Sequence, residues 1–377
     1  MKIVADQNIY RVSDYFSGYG ELLLLPGRDI QKRDVANADV LLVRTITRVD
    51  EALLAGSSVR FVGSATSGAD HIDHDFLEAN NIHCYSAQGC NADAVVNYVL
   101  TALANLFEQT GENFLEKSVG IIGAGNIGGR LACVLNSLGM RVSIYDPFLS
   151  NDHPLSPYFV SLQDVMKQQI ITLHVPLTMD GHFPTQGMLN EELLSSMESG
   201  AILINAARGE VIDNQLLVSI MNKRRDVRLV LDVWENEPGI EPLLLQRANL
   251  ATPHIAGYTL NGKWNATKMI ADHFYTEFSV RQTQSSTDTT SGTIELEHSG
   301  NLCVTLSRAM LAAYNISKDE IPRELYKTPE KLAVSFDSRR SNYLFRPEFS
   351  DFHVTAAGLG DSETRALKTL GFNVHCV

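Results

Sequence analysis

Gly123-Ala124-Gly125-Asn126-Ile127-Gly128 spells Gly-x-Gly-x-x-Gly between an apolar run, Val119-Gly120-Ile121-Ile122, and a helical pattern expected over Asn126 to Leu138. That context gives each glycine a task. Gly123 permits a tight turn, Gly125 lets the backbone approach a pyrophosphate, and Gly128 lets the helix press against the strand. The helix start then offers unpaired N–H groups and a partial positive charge to the anion. Asp146 closes the next apolar run, 18 residues after Gly128. A carboxylate there accepts from both ribose hydroxyls and repels a 2′-phosphate, which favours NAD over NADP.

Three later segments suit chemistry on a hydroxy acid. Asn205-Ala206-Ala207-Arg208-Gly209 follows one expected strand, and Asp232-Val233-Trp234-Glu235-Asn236-Glu237-Pro238 follows the next. Thr252-Pro253-His254-Ile255-Ala256-Gly257-Tyr258 comes last. Hydride transfer from such a substrate needs a cation for its carboxylate, a base for its hydroxyl proton and a partner that tunes the base. Arg208 can grip a carboxylate with two parallel hydrogen bonds. His254 can take the hydroxyl proton as a general base, and Glu237 can hold its imidazole in one tautomer. Asp232 can accept from a nicotinamide carboxamide. Singly, a loop Arg is usually a solvated charge, a His structural, and a Glu before Pro a turn residue. In series after a dinucleotide motif they reinforce one another.

The elements that must carry these groups alternate in type. Apolar strand candidates are Lys2–Ala5, Asp39–Arg44, Val59–Gly63 and Ile82–Tyr85, with helical patterns such as Glu51–Leu54 and Asp75–Asn80 between them. A long helix with one apolar face is expected over Ala92–Gln109. A second alternation has strand candidates at 119–122, 141–145, 169–173, 201–205 and 228–232, and a helix returns over Trp264–Val280. Such alternation predicts open, doubly wound parallel sheets covered on both faces. The stretch from Gln282 to Thr293 is polar and rich in Ser and Thr, as a linker or exposed loop is, and a smaller module with strands at 294–296 and 352–355 and a helix at 302–314 follows.

Composition narrows the field further. The 377 residues are enough for two or three domains, and 44% apolar with 20% charged residues excludes disorder. A net charge of −13 disfavours nucleic acid or an anionic membrane as partner. The five cysteines are widely spaced with no Cys-x-x-Cys pair, and the N-terminal Met1-Lys2-Ile3-Val4-Ala5-Asp6 lacks a signal peptide's apolar stretch. A soluble cytoplasmic protein is expected. His71 and His74 in Asp70-His71-Ile72-Asp73-His74-Asp75 have zinc-like spacing, yet no metal is expected there, and His174 suits lining a cofactor better than moving protons.

The glycine motif, Asp146, His174-Val175-Pro176 and the three chemical segments together resemble the D-isomer-specific 2-hydroxyacid dehydrogenases over roughly residues 1 to 280. The resemblance implies two Rossmann-like domains joined by a hinge, with Arg208, Glu237 and His254 catalytic. It also implies NAD contacts at Gly123, Gly125, Asn126, Ile127, Gly128, Asp146, Val175, Ala206, Ala207, Arg208, Asp232 and Gly257. Glu237 argues against the formate dehydrogenase branch, which carries Gln there.

One branch matches more closely, on Val43-Arg44-Thr45, Phe61 to Gly68, Gly89-Cys90-Asn91-Ala92 and His254 to Leu260. Its members act on a four-carbon sugar acid with a terminal phosphate, in pyridoxal 5′-phosphate biosynthesis, and carry a C-terminal dimerisation module that most relatives lack. The implied division is 1–93 with 256–280 for substrate, 94–255 for NAD, and 281–377 as a small α+β domain forming a homodimer. Thr45 and Thr66, in hydroxyl-bearing turns, and Tyr258 are the implied substrate contacts; turn capping and interface packing are their ordinary alternatives. Another D-2-hydroxyacid dehydrogenase, such as one for D-3-phosphoglycerate, and a non-catalytic NADH-sensing protein remain open.

Overall fold

The computed structural model describes every residue except Gln109, 283–291, His298, Ala357 and Val377. The Ser/Thr-rich linker expected over 282–293 therefore lies mostly outside the described residues. The chain divides into two compact units, Met1–Asn91 with Thr259–Thr289, and Ala92–Tyr258 with Thr290–Val377.

The first unit holds five strands, β1 (Lys2–Asp6), β2 (Glu21–Leu25), β3 (Val40–Val43), β4 (Phe61–Ser64) and β5 (His83–Ser86). They pair in the order β2-β1-β3-β4-β5, all parallel. β3 and β4 are wholly buried four-residue runs, the pattern of strands covered on both faces. The helix Leu260–Glu277 returns to this sheet and packs Ala266, Ile270 and Phe274 into its core with Ile3, Leu42 and Phe61. Thr259 starts that helix by accepting the Gly262 N–H at 3.0 Å.

The second unit holds β6 (Ser118–Ile122), β7 (Arg141–Tyr145), β8 (Ile170–Leu173), β9 (Ile202–Asn205), β10 (Arg228–Leu231) and β11 (Leu250–Ala251), in the parallel order β11-β10-β9-β8-β6-β7. The order reverses beside β6, whose neighbours are β7 and β8. A crevice opens at such a reversal, at the carboxyl ends of the strands. The third sheet is β12 (Gly292–Glu295), β13 (Phe352–Ala356) and β14 (Asn373–Cys376), also parallel.

The C-terminal module is built into the second unit. Leu306, Met310, Phe349, Leu367 and Phe372 share one buried cluster with Val99, Leu103, Phe107 and Ile121. Ile321 donates its N–H to Ala251 O at 2.9 Å, covering the edge of β11, and Arg323 binds the carbonyls of Leu245 and Asn249. Among the described residues Cys84, Cys133 and Cys303 are free thiols, and no helix is long and apolar enough to cross a membrane.

Candidate active site

The glycine turn leaves the carboxyl end of β6. Gly123 has φ +86°, and a Cβ there would lie 2.9 Å from the His174 carbonyl, so only glycine fits the turn against the end of β8. A Cβ on Gly128 would lie 1.9 Å from Gly123 O, so helix and turn are in backbone contact. Gly125 differs. It is exposed, and a Cβ there would meet no protein atom within 4 Å. The helix Asn126–Ser137 begins at Gly125 with no side-chain cap. The amides at the helix start thus face open space beside Gly125, room that fits a dinucleotide pyrophosphate. Asp146 is half-buried at the end of β7, and its carboxylate accepts from Ala124 N at 2.8 Å and Phe148 N at 3.0 Å. Each oxygen holds one donor and keeps a second lone pair for a ribose hydroxyl.

β9, β10 and β11 lie side by side, and Arg208, Asp232 and His254 follow their carboxyl ends. His254 Nδ1 lies 2.8 Å from Glu237 Oε2. Glu237 Oε1 accepts the Trp234 N–H at 3.0 Å, which fixes the carboxylate plane. Burial pushes the Glu237 carboxyl up, but the charge and hydrogen bond of His254, the Arg340 guanidinium and the Trp234 N–H outweigh it, leaving the group below its ordinary range. A carboxylate on Nδ1 fixes the proton there and turns Nε2 toward a reactant.

His254 adopts φ +56°, the left-handed region, and its N–H donates to Asp232 O at 2.7 Å. Asp232 is 1% exposed, and its carboxylate accepts from Thr252 Oγ1 at 2.6 Å, Ile255 N at 2.8 Å and Ala256 N at 2.9 Å. Asp232 thus ties down the histidine loop. Its Oδ2 holds a single donor and retains a lone pair for a carboxamide. The Arg208 turn is braced by Asn205, whose Oδ1 accepts Ala207 N at 3.1 Å and whose Nδ2 donates to Arg208 O at 2.9 Å. Gly209 abuts the Trp234–Glu235 peptide, where a Cβ would come within 2.0 Å of Trp234 C. The arginine loop and the glutamate loop are therefore in direct backbone contact.

Thr45 is exposed after β3, and Thr66 is half-buried after the neighbouring β4; both belong to the first unit. Thr66 Oγ1 lies 2.9 Å from Ser64 Oγ and donates to Gly68 O at 3.2 Å. His71 Nε2 lies 3.2 Å from Ser64 Oγ, and burial pushes its imidazole down to about 4. His174 Nε2 lies 3.0 Å from Thr172 Oγ1, and burial pushes it down to about 3. Both rings stay neutral at physiological pH. Among the described residues no cluster of three His, Cys, Asp or Glu side chains could hold a metal ion.

Residues 102–256 match the model of the D-isomer specific 2-hydroxyacid dehydrogenase NAD binding domain. The chain is 38% identical to erythronate-4-phosphate dehydrogenase of Chromohalobacter salexigens over 99% of both chains. It is 40% identical to the Escherichia coli protein of that name over 100% of this chain and 99% of the relative. The chain belongs to the D-isomer specific 2-hydroxyacid dehydrogenase family. Among solved structures, NAD-bound 3-phosphoglycerate dehydrogenase of Entamoeba histolytica superposes with a TM-score of 0.62 at 24% identity, covering 76% of this chain and 99% of that one. D-lactate dehydrogenase of Aquifex aeolicus, complexed with NAD and lactic acid, gives 0.58 at 22% identity, covering 74% and 96%. These two likenesses carry the fold: two parallel sheets of five and six strands, with a small third sheet at the C-terminus.

As a 2-hydroxyacid dehydrogenase the protein is an NAD-dependent oxidoreductase. Two residues at its site escape sequence reasoning, and both come from the C-terminal module. Arg346, 7% exposed, donates to the carbonyls of Ile255 (2.8 Å), Ala256 (2.5 Å), Tyr258 (3.3 Å) and Ala94 (3.1 Å), and its guanidinium lies 4.4 Å from the centre of the Tyr314 ring. Arg340 reaches Glu237 Oε2 at 3.2 Å and the Tyr258 hydroxyl at 3.3 Å. The Tyr258 ring packs edge-on against Tyr343 and Phe345. Leu332, Phe336 and Arg340 recur every four residues along one helix stripe, the signal by which the cation could have been found.

Proposed function

We propose that the protein oxidises 4-phospho-D-erythronate at C2 to (R)-3-hydroxy-2-oxo-4-phosphobutanoate with NAD, in pyridoxal 5′-phosphate biosynthesis. The observation that carries this reading is end-to-end identity of 38–40% with erythronate-4-phosphate dehydrogenases, in a chain whose His254–Glu237 couple is assembled at 2.8 Å.

Arg208 holds the substrate carboxylate in a two-pronged ion pair and polarises C2. His254 Nε2 takes the C2 hydroxyl proton, and the Glu237 carboxylate offsets the positive charge that then forms on the ring. Bound NAD would supply the hydride acceptor for C2. Gly123, Gly125 and Gly128, with the amides of Asn126 and Ile127, hold its pyrophosphate, and Asp146 its ribose. Val175, Ala206, Ala207, Asp232 and Gly257 would make further contacts to NAD, with Asp232 accepting from its carboxamide. Thr45, Thr66 and Tyr258 supply hydroxyls to the sugar acid and its phosphate. The C-terminal module forms a homodimer interface, and the enzyme works in the cytoplasm.

The test is NADH formation with 4-phosphoerythronate, 3-phosphoglycerate, D-lactate and D-glycerate, ranked by kcat/KM. 4-Phosphoerythronate leads by at least about tenfold under this reading. A lead for another acid changes the substrate, and NADH binding without turnover of any acid makes the protein a sensor. Sedimentation tests the dimer.

A further inference from the structure

The structure assigns a positioning role to Arg340: we propose that this guanidinium, brought by the C-terminal module, holds Glu237 and Tyr258 in register and limits how strongly Glu237 stabilises the charged form of His254. The inference rests on the reading of Glu237 and His254 as an acid/base couple.

The geometry is a shared acceptor. Glu237 Oε2 is approached by His254 Nδ1 at 2.8 Å and by Arg340 Nη1 at 3.2 Å. The Arg340 Nε–H points instead to the Tyr258 hydroxyl at 3.3 Å. The side chains of Arg340 and Glu237 are 29% and 15% exposed, so solvent screens the contact weakly. A guanidinium is rigid and always charged, and its fork can fix two oxygens at once. One carboxylate oxygen therefore faces two cations whenever His254 is protonated. Arg340 destabilises that state by direct repulsion and by taking part of the carboxylate's field. The effect favours a neutral imidazole, the form that accepts a proton when a hydroxy acid is oxidised.

The other charged and titratable groups around the histidine loop have separate tasks. Asp232 binds the Ile255 and Ala256 amides, and Arg346 binds main-chain carbonyls of Ile255, Ala256 and Tyr258. Arg208 follows the neighbouring β9, and Tyr258 is the residue whose hydroxyl Arg340 meets. Arg340 is thus the cation placed on the couple itself.

The experiment follows imidazole titration by NMR in NAD-loaded protein carrying 13C-labelled histidine, with the His254 resonance assigned by His254→Gln. This readout needs no substrate turnover, so it stands even if another acid proves to be the substrate. In Arg340→Met the His254 midpoint rises by about half to one pH unit, and Arg340→Lys, which keeps a charge, stays within about 0.3 unit of the parent. Arg339→Met, on the same helix, leaves the midpoint unchanged. In parallel, the acid limb of kcat/KM for oxidation moves up by the same amount in Arg340→Met, while NADH affinity stays at the parental value. An unmoved midpoint in folded Arg340→Met overturns the proposal. Should that variant not fold, the Lys variant decides: a shift as large as one unit there overturns it equally.

Discussion

Asp232 and His254 are joined through the main chain: the Asp232 carbonyl accepts the His254 N–H at 2.7 Å, while the Asp232 carboxylate binds the next two amides. The left-handed backbone of His254 is held by these bonds, which makes a buried acid with no part in proton transfer decisive for where the imidazole points. Asn at 232 would turn an amide NH2 toward one of these donors. Asp232→Asn is expected to lower kcat by about 100-fold, the scale of a 1 Å misplacement of a catalytic group. Steady-state kinetics check this, and an unchanged kcat would show that the imidazole is held by something else.

Glu237 gives a prediction in pH. Its carboxyl lies below the ordinary range in the folded protein: burial raises it, and the His254 and Arg340 interactions lower it by more. A depressed carboxyl stabilises the fold above the unfolded value of about 4.3, and that stability is lost as pH falls through the lower native value. Glu237→Gln is therefore less stable than the parent at pH 7 by about 1 kcal/mol for each unit of depression, and the two converge as pH drops below about 4. Urea titrations across that window measure the gap. Activity falls in the same variant by about 100-fold or more, the range for disabling a general base.

The two ends of the glycine turn separate folding from binding. Gly125→Ala places a methyl in space no protein atom occupies, so the melting temperature holds while NADH affinity falls at least about tenfold. Gly128→Ala drives a methyl into Gly123 O, so stability and affinity fall together. Fluorescence titration with NADH beside a thermal melt distinguishes them. Equal melts for both variants would contradict the contact described for Gly128.

Arg346 is a buried cation that donates to four main-chain carbonyls. Arg346→Met leaves four carbonyls without this donor in a closed environment, at a cost of about 3 kcal/mol or more. Chemical denaturation reads the loss. A variant as stable as the parent would mean that water replaces the guanidinium.

Much of this architecture is legible from pattern alone, for a physical reason. Strands buried on both faces are continuous apolar runs, and β1, β3, β6, β8, β9 and β10 are such runs, found within a residue or two of their expected places. β2 is Glu21–Leu25 at a sheet edge, and its run of leucines shows neither alternation nor a β-branched residue. β11 is two residues long and exists only by pairing with β10. The Glu237–His254 couple is legible because catalysis restricts residue type at fixed places after strands. Arg340 is not, because the helix Pro329–Ser341 buries only Leu332 and Phe336 among many polar residues, and a cation there reads as solvated until the partner surface is known.

The apolar interior of the cofactor half has a consequence for synthesis. Val99, Leu103 and Ile121 emerge early, yet they share their interior with Leu367, Leu370 and Phe372, more than two hundred residues later. This half cannot close until Phe372 has emerged, whereas Leu260–Glu277, the last helix packed on the first sheet, is made about a hundred residues earlier. A nascent chain halted near residue 300 would leave Val99, Leu103 and Ile121 without the side chains that cover them, so the greasy surface of this half stays open for longer than that of the first sheet.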